Sequence, residues 1–228
     1  MAIALRGTPT FAGGAAGTNV VGTEPTGTTS GDVMVAFCTA DRSSGSITPP
    51  ANWNQLFAGL AGTNVVYWLG WILRSSSAPA LTWAWSVAGS TWRELNILSF
   101  SGVDNANPID SSAGGTVTTT NAPNPPAITV VNANAMAIAV CMNFAGCSAG
   151  GWTAPSGYTR QSPATTGLED AVATKALTAT GTEDPGTFTN VGSDTSWAAT
   201  LALKPAGAAA AAGAPFQART ARHPLLRR

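Results

Sequence analysis

Between positions 90 and 100 the chain alternates between two faces. Trp92, Glu94, Asn96, Leu98 and Phe100 fall on one side, and Arg93, Leu95, Ile97 and Ser99 on the other. Apolar residues lie on both sides, which predicts a strand with much of both faces covered. Positions 33–38 read as a buried strand. Positions 65–73 form the most hydrophobic one, with Tyr67, Leu69 and Trp71 opposite Trp68 and Ile72. Positions 81–86 place Trp83 and Trp85 on one face. Turn chemistry separates these runs. Thr48-Pro49-Pro50-Ala51-Asn52 cannot be a central strand because proline donates no ladder hydrogen bond. Gly102, Asp104, Asn105, Asn107 and Pro108 predict a rigid corner after the alternating run. Positions 2–5 and 8–11 are weak edge-strand candidates, and 18–29 reads mostly as loop.

The same order recurs. Ala135-Met136-Ala137-Ile138-Ala139-Val140-Cys141 echoes positions 32–38 at an offset of 103 residues. Thr153-Ala154-Pro155-Ser156-Gly157-Tyr158 echoes positions 48–53 at 105. Thr187-Phe188-Thr189 echoes Thr82-Trp83-Ala84, and Thr195-Ser196-Trp197 echoes Ser90-Thr91-Trp92, again at 105. Positions 171–176 stand where 66–71 stood. Four blocks in one order imply an internal duplication. The expected fold is all-β: an antiparallel, jelly-roll-like sandwich of two duplicated halves, about 30–110 and 111–205, sharing a core. Two tandem sandwiches are the alternative.

Composition adds two points. Only 10% of residues are charged and 25 are glycine, which suits short strands joined by polar turns better than long solvated helices. Net charge is zero, but four arginines and no acid follow Pro205, leaving seven basic and eleven acidic residues before it. A mildly acidic body does not fit nucleic-acid binding. No stretch approaches the roughly 18 apolar residues of a membrane-spanning helix, so no membrane insertion is expected. Positions 1–6 do not read as a signal peptide. Cys38, Cys141 and Cys147 form no metal-ligand pattern, and Cys38 and Cys141 are expected as small buried hydrophobes. After position 205 comes an Ala/Gly tether and then a basic segment. This predicts a docking arm over 206–228, with Phe216, Arg219, Arg222, Leu225, Leu226, Arg227 and Arg228 as contact residues.

Little catalytic chemistry suggests itself. The only histidine is His223, so no Ser-His or Cys-His system is available to the body. Glu169-Asp170 and Glu183-Asp184 read as solvated loop charges. Glu94, inside a strand, is either solvated or held by a partner other than Arg93. Asp104, Asn105, Asn107 and Asp110 gather oxygen atoms in one turn, compatible with calcium but equally with Asx side chains closing the turn. No cofactor or metal is expected. Most tryptophans are expected in the core. Trp53, Trp152 and Tyr158, beside proline-containing loops, are the surface candidates, with Trp53 and Tyr158 as possible glycan-binding residues.

The blocks G-D-V-M-V-A-F (31–37), T-P-P-A-N-W (48–53), W-R-E-L-N-I-L-S-F-S-G-V-D-N-A-N-P-I-D (92–110), T-A-P-S-G-Y (153–158) and S-W-A-A-T-L-A-L-K-P (196–205) together resemble β-sandwich proteins of tailed-phage virions and related bacterial surface proteins. The resemblance covers roughly positions 30–205. It implies a non-enzymatic, jelly-roll or lectin-like sandwich serving as a virion-surface or fibre component. The expectation is therefore a capsid-decorating, head-fibre or tail-associated subunit, assembled in the host cytoplasm into the virion. Its expected partners are capsid, portal or tail proteins and further copies of itself. The other reading is a carbohydrate-binding module that recognises a host glycan.

Overall fold

The computed structural model describes residues 2–207 except 42, 86–89, 146–150, 164–169 and 190–191. The predicted arm residues Phe216, Arg219, Arg222, Leu225, Leu226, Arg227 and Arg228 lie outside the described residues, as do Cys147, Glu169 and His223.

Among the described residues seventeen strands follow one another: β1 (Ala4–Leu5), β2 (Thr10–Gly17), β3 (Asn19–Val21), β4 (Val33–Asp41), β5 (Ile47–Thr48), β6 (Asn54–Ala61), β7 (Val65–Leu73), β8 (Thr82–Trp85), β9 (Ser90–Ser101), β10 (Ile109–Gly114), β11 (Thr118–Thr120), β12 (Ile128–Val130), β13 (Met136–Asn143), β14 (Thr159–Arg160), β15 (Asp170–Ala176), β16 (Gly181–Glu183) and β17 (Asp194–Leu203). All strand pairings are antiparallel. The all-β class expected from the alternation is the class observed. The edge candidates near the N-terminus are β1 and β2, both paired with β9. The stretch read mostly as loop contains β3, held by β8.

The two large sheets have six strands each. One runs β1-β9-β4-β7-β6, with β2 also on β9; the other runs β10-β17-β13-β15-β14, with β11 also on β17. Position by position the orders coincide: β9 with β17, β4 with β13, β7 with β15, β6 with β14. The first sheet draws only on residues before the corner and the second only on residues after it. The halves therefore share a core by facing each other, with no exchange of strands between the large sheets.

Three apolar layers result. The central one joins Val33, Val35, Phe37, Leu69, Leu98 and Phe100 of the first sheet to Met136, Ile138, Val140, Trp197, Leu201 and Leu203 of the second. Each sheet's other face is also buried. Met34, Ala36, Cys38, Trp68, Leu95 and Ile97 pack with Trp83 of the small β3-β8-β5 sheet. Ala137, Ala139, Cys141, Ala171 and Ala173 pack with Ile128 and Val130 of β12. This explains why β4, β7 and β13 are nearly continuous apolar runs: β4 and β13 are covered on both faces, and β7 is open only in part, at Tyr67, Trp71 and Leu73. Cys38 and Cys141 are both buried, as expected.

The outer layers are filled differently. Trp68 fills the first, whereas its echo is Ala173; Ile47 lines the first, whereas its echo is Trp152. In the second outer layer the large ring stands on the facing loop, where Trp152 meets Phe188 edge-on at 6.3 Å. Close packing needs the volume filled from one side or the other.

The corner after β9 holds the last described residues. Gly102 adopts φ 75°, and a Cβ there would lie 2.6 Å from the Ala2 carbonyl oxygen. Asp104 N donates to Lys204 O at 2.9 Å, Lys204 N to Pro108 O at 2.8 Å and Ala206 N to Gly102 O at 2.8 Å.

Candidate functional site

The only carboxyl pair fully withdrawn from water among the described residues is Glu94 with Asp170, both 0% exposed. β9 brings Glu94 to the central layer, and the first residue of β15 brings Asp170 to it from the opposite sheet. Asp170 N donates to Glu94 Oε2 at 2.9 Å. Asn96 Nδ2 donates to Asp170 Oδ1 at 2.7 Å, and the Thr39 hydroxyl donates to Oδ2 at 3.1 Å. Trp92 Nε1 donates to Glu94 Oε1 at 2.5 Å. Burial pushes the Asp170 carboxyl well above the ordinary carboxylate range. The Glu94 charge and a hydrogen bond with its side chain push the same way, while Asn96 and Thr39 pull back. Two neighbouring carboxyls closed to solvent disfavour each other's ionised form, so a proton is held there to higher pH than on an exposed acid. The same burial and charges raise the thiol of Cys38. Asp170 is thus not the solvated loop charge expected of it; it locks one sheet to the other. Glu94 takes the second of its two predicted situations, held by partners other than Arg93.

A signal for this pair exists in the sequence. At the offset of 105, Asp170 falls on Val65, which is fully buried, so a buried partner for Glu94 could have been sought there. The adjacent acid Glu169 suggests a solvated turn and hides that signal.

Trp53 and Tyr158 are also placed differently from expectation. Both are buried, so neither forms an exposed stacking platform. Trp53 meets Trp83 at 4.9 Å and Trp68 at 6.1 Å, each edge-on, and Nε1 donates to Ala80 O at 3.2 Å. The Tyr158 hydroxyl donates to Glu183 Oε1 at 3.0 Å, and Lys175 Nζ bonds both Glu183 oxygens at 2.9 and 3.1 Å. Glu183 is therefore an anchored acid and not a loop charge. Burial and the Glu183 charge push the Tyr158 phenol far above its usual value, the wrong direction for a base or nucleophile at neutral pH. Trp152, the third surface candidate, lies in the second outer layer.

The acids of the corner close turns and ion pairs. Asp104 Oδ1 accepts from Ala106 N and Asn107 N at 3.0 and 3.2 Å, and Oδ2 pairs with Lys204 Nζ at 2.9 Å. Asp110 accepts from Val131 N at 2.8 Å and from Asn132 Nδ2. Their oxygens face separate partners and do not converge on one point.

No helix is long and apolar enough to cross a membrane among the described residues. Comparison with family models, curated proteins and solved structures returns no match.

Proposed function

We propose that the chain is a non-enzymatic structural subunit of a phage particle, a capsid-decorating, head-fibre or tail-associated protein that attaches through the segment after residue 207. The observation that carries this reading is the way the chain leaves the body. β17 is an internal strand of its sheet, and its last residues are clamped by the corner through three backbone hydrogen bonds and the Asp104–Lys204 pair. The sequence that continues from this fixed end is basic and bears Phe216, Leu225 and Leu226, the composition an anchoring arm requires. The sealed carboxyl pair supports the same reading, since its acid groups tie the body together and are closed to a substrate. The sequence resemblance gives the virion setting, and capsid, portal or tail proteins are the proposed partners.

A variant ending at Gly207 tests this. It should keep the full-length circular dichroism spectrum and melting temperature but no longer co-sediment with particles assembled in its presence. Unchanged co-sedimentation of the truncated chain, or absence of the full-length protein from intact particles, would remove the proposal.

A further inference from the structure

A cleft of about 540 Å³ opens where the start of β6, the end of β7 and the 75–80 loop meet. Its lining includes Trp71, Asn52, Asn54, Ser75, Ser77 and Asn105, with no charged side chain. Such a volume suits a small ligand. Trp71 and Asn54 are cross-strand neighbours in register. Trp71 is half-buried, Asn52 and Asn54 are exposed, and none of these three side chains has a hydrogen-bond partner among the described residues.

The walls are fixed in advance. Trp53 Nε1 ties the loop before β6 to Ala80 on the facing loop. The Ser75 hydroxyl bonds Ser77 O at 3.0 Å, and Arg74 N and Gly31 N exchange bonds with Asp32 O and Arg74 O at 2.8 Å. Asn52 sits at φ 70°, a conformation uncommon outside glycine though least so for asparagine.

We propose that this cleft binds a neutral saccharide. Charged ligands find no counter-charge in the lining. A pyranose offers what the lining can use: apolar C–H faces for the indole of Trp71, and hydroxyls that pair with its N–H and with the carboxamides of Asn52 and Asn54. Few polar groups converging beside one aromatic surface is the general form of a small-ligand pocket. Trp53 is a positioning residue here, beneath the cleft and not in it. This inference is independent of the attachment role of the C-terminal segment.

The test is titration of the full-length chain with maltohexaose, cellohexaose and hexa-N-acetylchitohexaose, followed by calorimetry and tryptophan fluorescence. At least one should bind saturably, with a dissociation constant at or below about 1 mM. Trp71→Ala should weaken it by about tenfold or more, and Asn54→Ala by roughly threefold or more. Trp71 also packs against the central layer, so Asn54→Lys at the exposed edge serves as a second variant; it should block binding without lowering the melting temperature. No saturable signal from any of the three sugars at about 10 mM, or equal affinity in a folded Asn54→Lys variant, would overturn the proposal.

Discussion

At Asp170 the energetics of a single side chain depend on where its proton resides. Folded, the carboxyl is buried beside Glu94 and binds its proton more tightly than in the unfolded chain, where it titrates near about 3.9. Between that value and the raised folded one, the native state carries a proton that the unfolded state has released. Stability therefore falls as pH rises through this window. Asp104 acts in the opposite sense: the Lys204 side chain first, then the Asn107 and Ala106 amides, lower its carboxyl, so its contribution is lost as pH falls. Asp170→Asn mimics the protonated acid, accepting from Asn96 and donating towards Glu94. Urea denaturation from about pH 5 to 9 should show wild type losing stability towards the alkaline side and Asp170→Asn losing less. Equal slopes would show that the pair does not hold the proton. Asp170→Ala should be worse at every pH, because the Asn96 amide and Thr39 hydroxyl are left without their acceptor, at about 1–3 kcal/mol for each unpaired group.

Among the elements, β17 ties the two halves together most directly. Its Trp197 stacks on Tyr67 of β7 at 3.9 Å and meets Phe57 of β6 at 6.0 Å and Phe37 of β4 at 6.3 Å. One ring thus touches three strands of the opposite sheet. Trp197→Ala should cost about 3–5 kcal/mol, read as a lower urea midpoint; a loss below about 1 kcal/mol would mean the sheets are held elsewhere. The buried strands were legible because they carry apolar residues on both faces, which the outer strand β2 (TFAGGAAG) does not. β4, β7, β9 and β13 are where the alternation put them. Their pairing was less so. Nothing in the alternation of β9 says that its neighbours are β4 and β1, because order within a sheet depends on contacts far apart in sequence. Trp53 and Tyr158 are buried contrary to expectation for a related reason. Proline-containing loops usually lie at the surface, but here those loops fold back as lids on the outer layers and carry their aromatic rings inward. Trp152 and Ala173 show the same limit: the filling of a layer is a property of both its walls, and neither wall is readable alone.

For the whole molecule, the layered arrangement sets how the body should unfold. Each half builds one large sheet, and each sheet needs the other to cover Val33, Val35, Phe37 and Leu98 on one side and Met136, Ile138, Val140 and Leu201 on the other. These residues are buried only in the pair. The corner adds connections that cross the halves, from Gly102, Asp104 and Pro108 to Lys204 and Ala206, and the proton-sharing carboxyls add another. Independent tandem domains would expose less apolar surface on separation and melt apart. Here, opening the central layer uncovers both sheets, so loss of one half removes the cover of the other. Calorimetry of the full chain should therefore give a single transition, with van't Hoff and calorimetric enthalpies in agreement. Trp197→Ala should shift that one transition downward without splitting it. Two resolved transitions, or a residue 1–102 fragment that folds as a stable monomer, would show that the halves are autonomous and that their shared layer is only a docking contact.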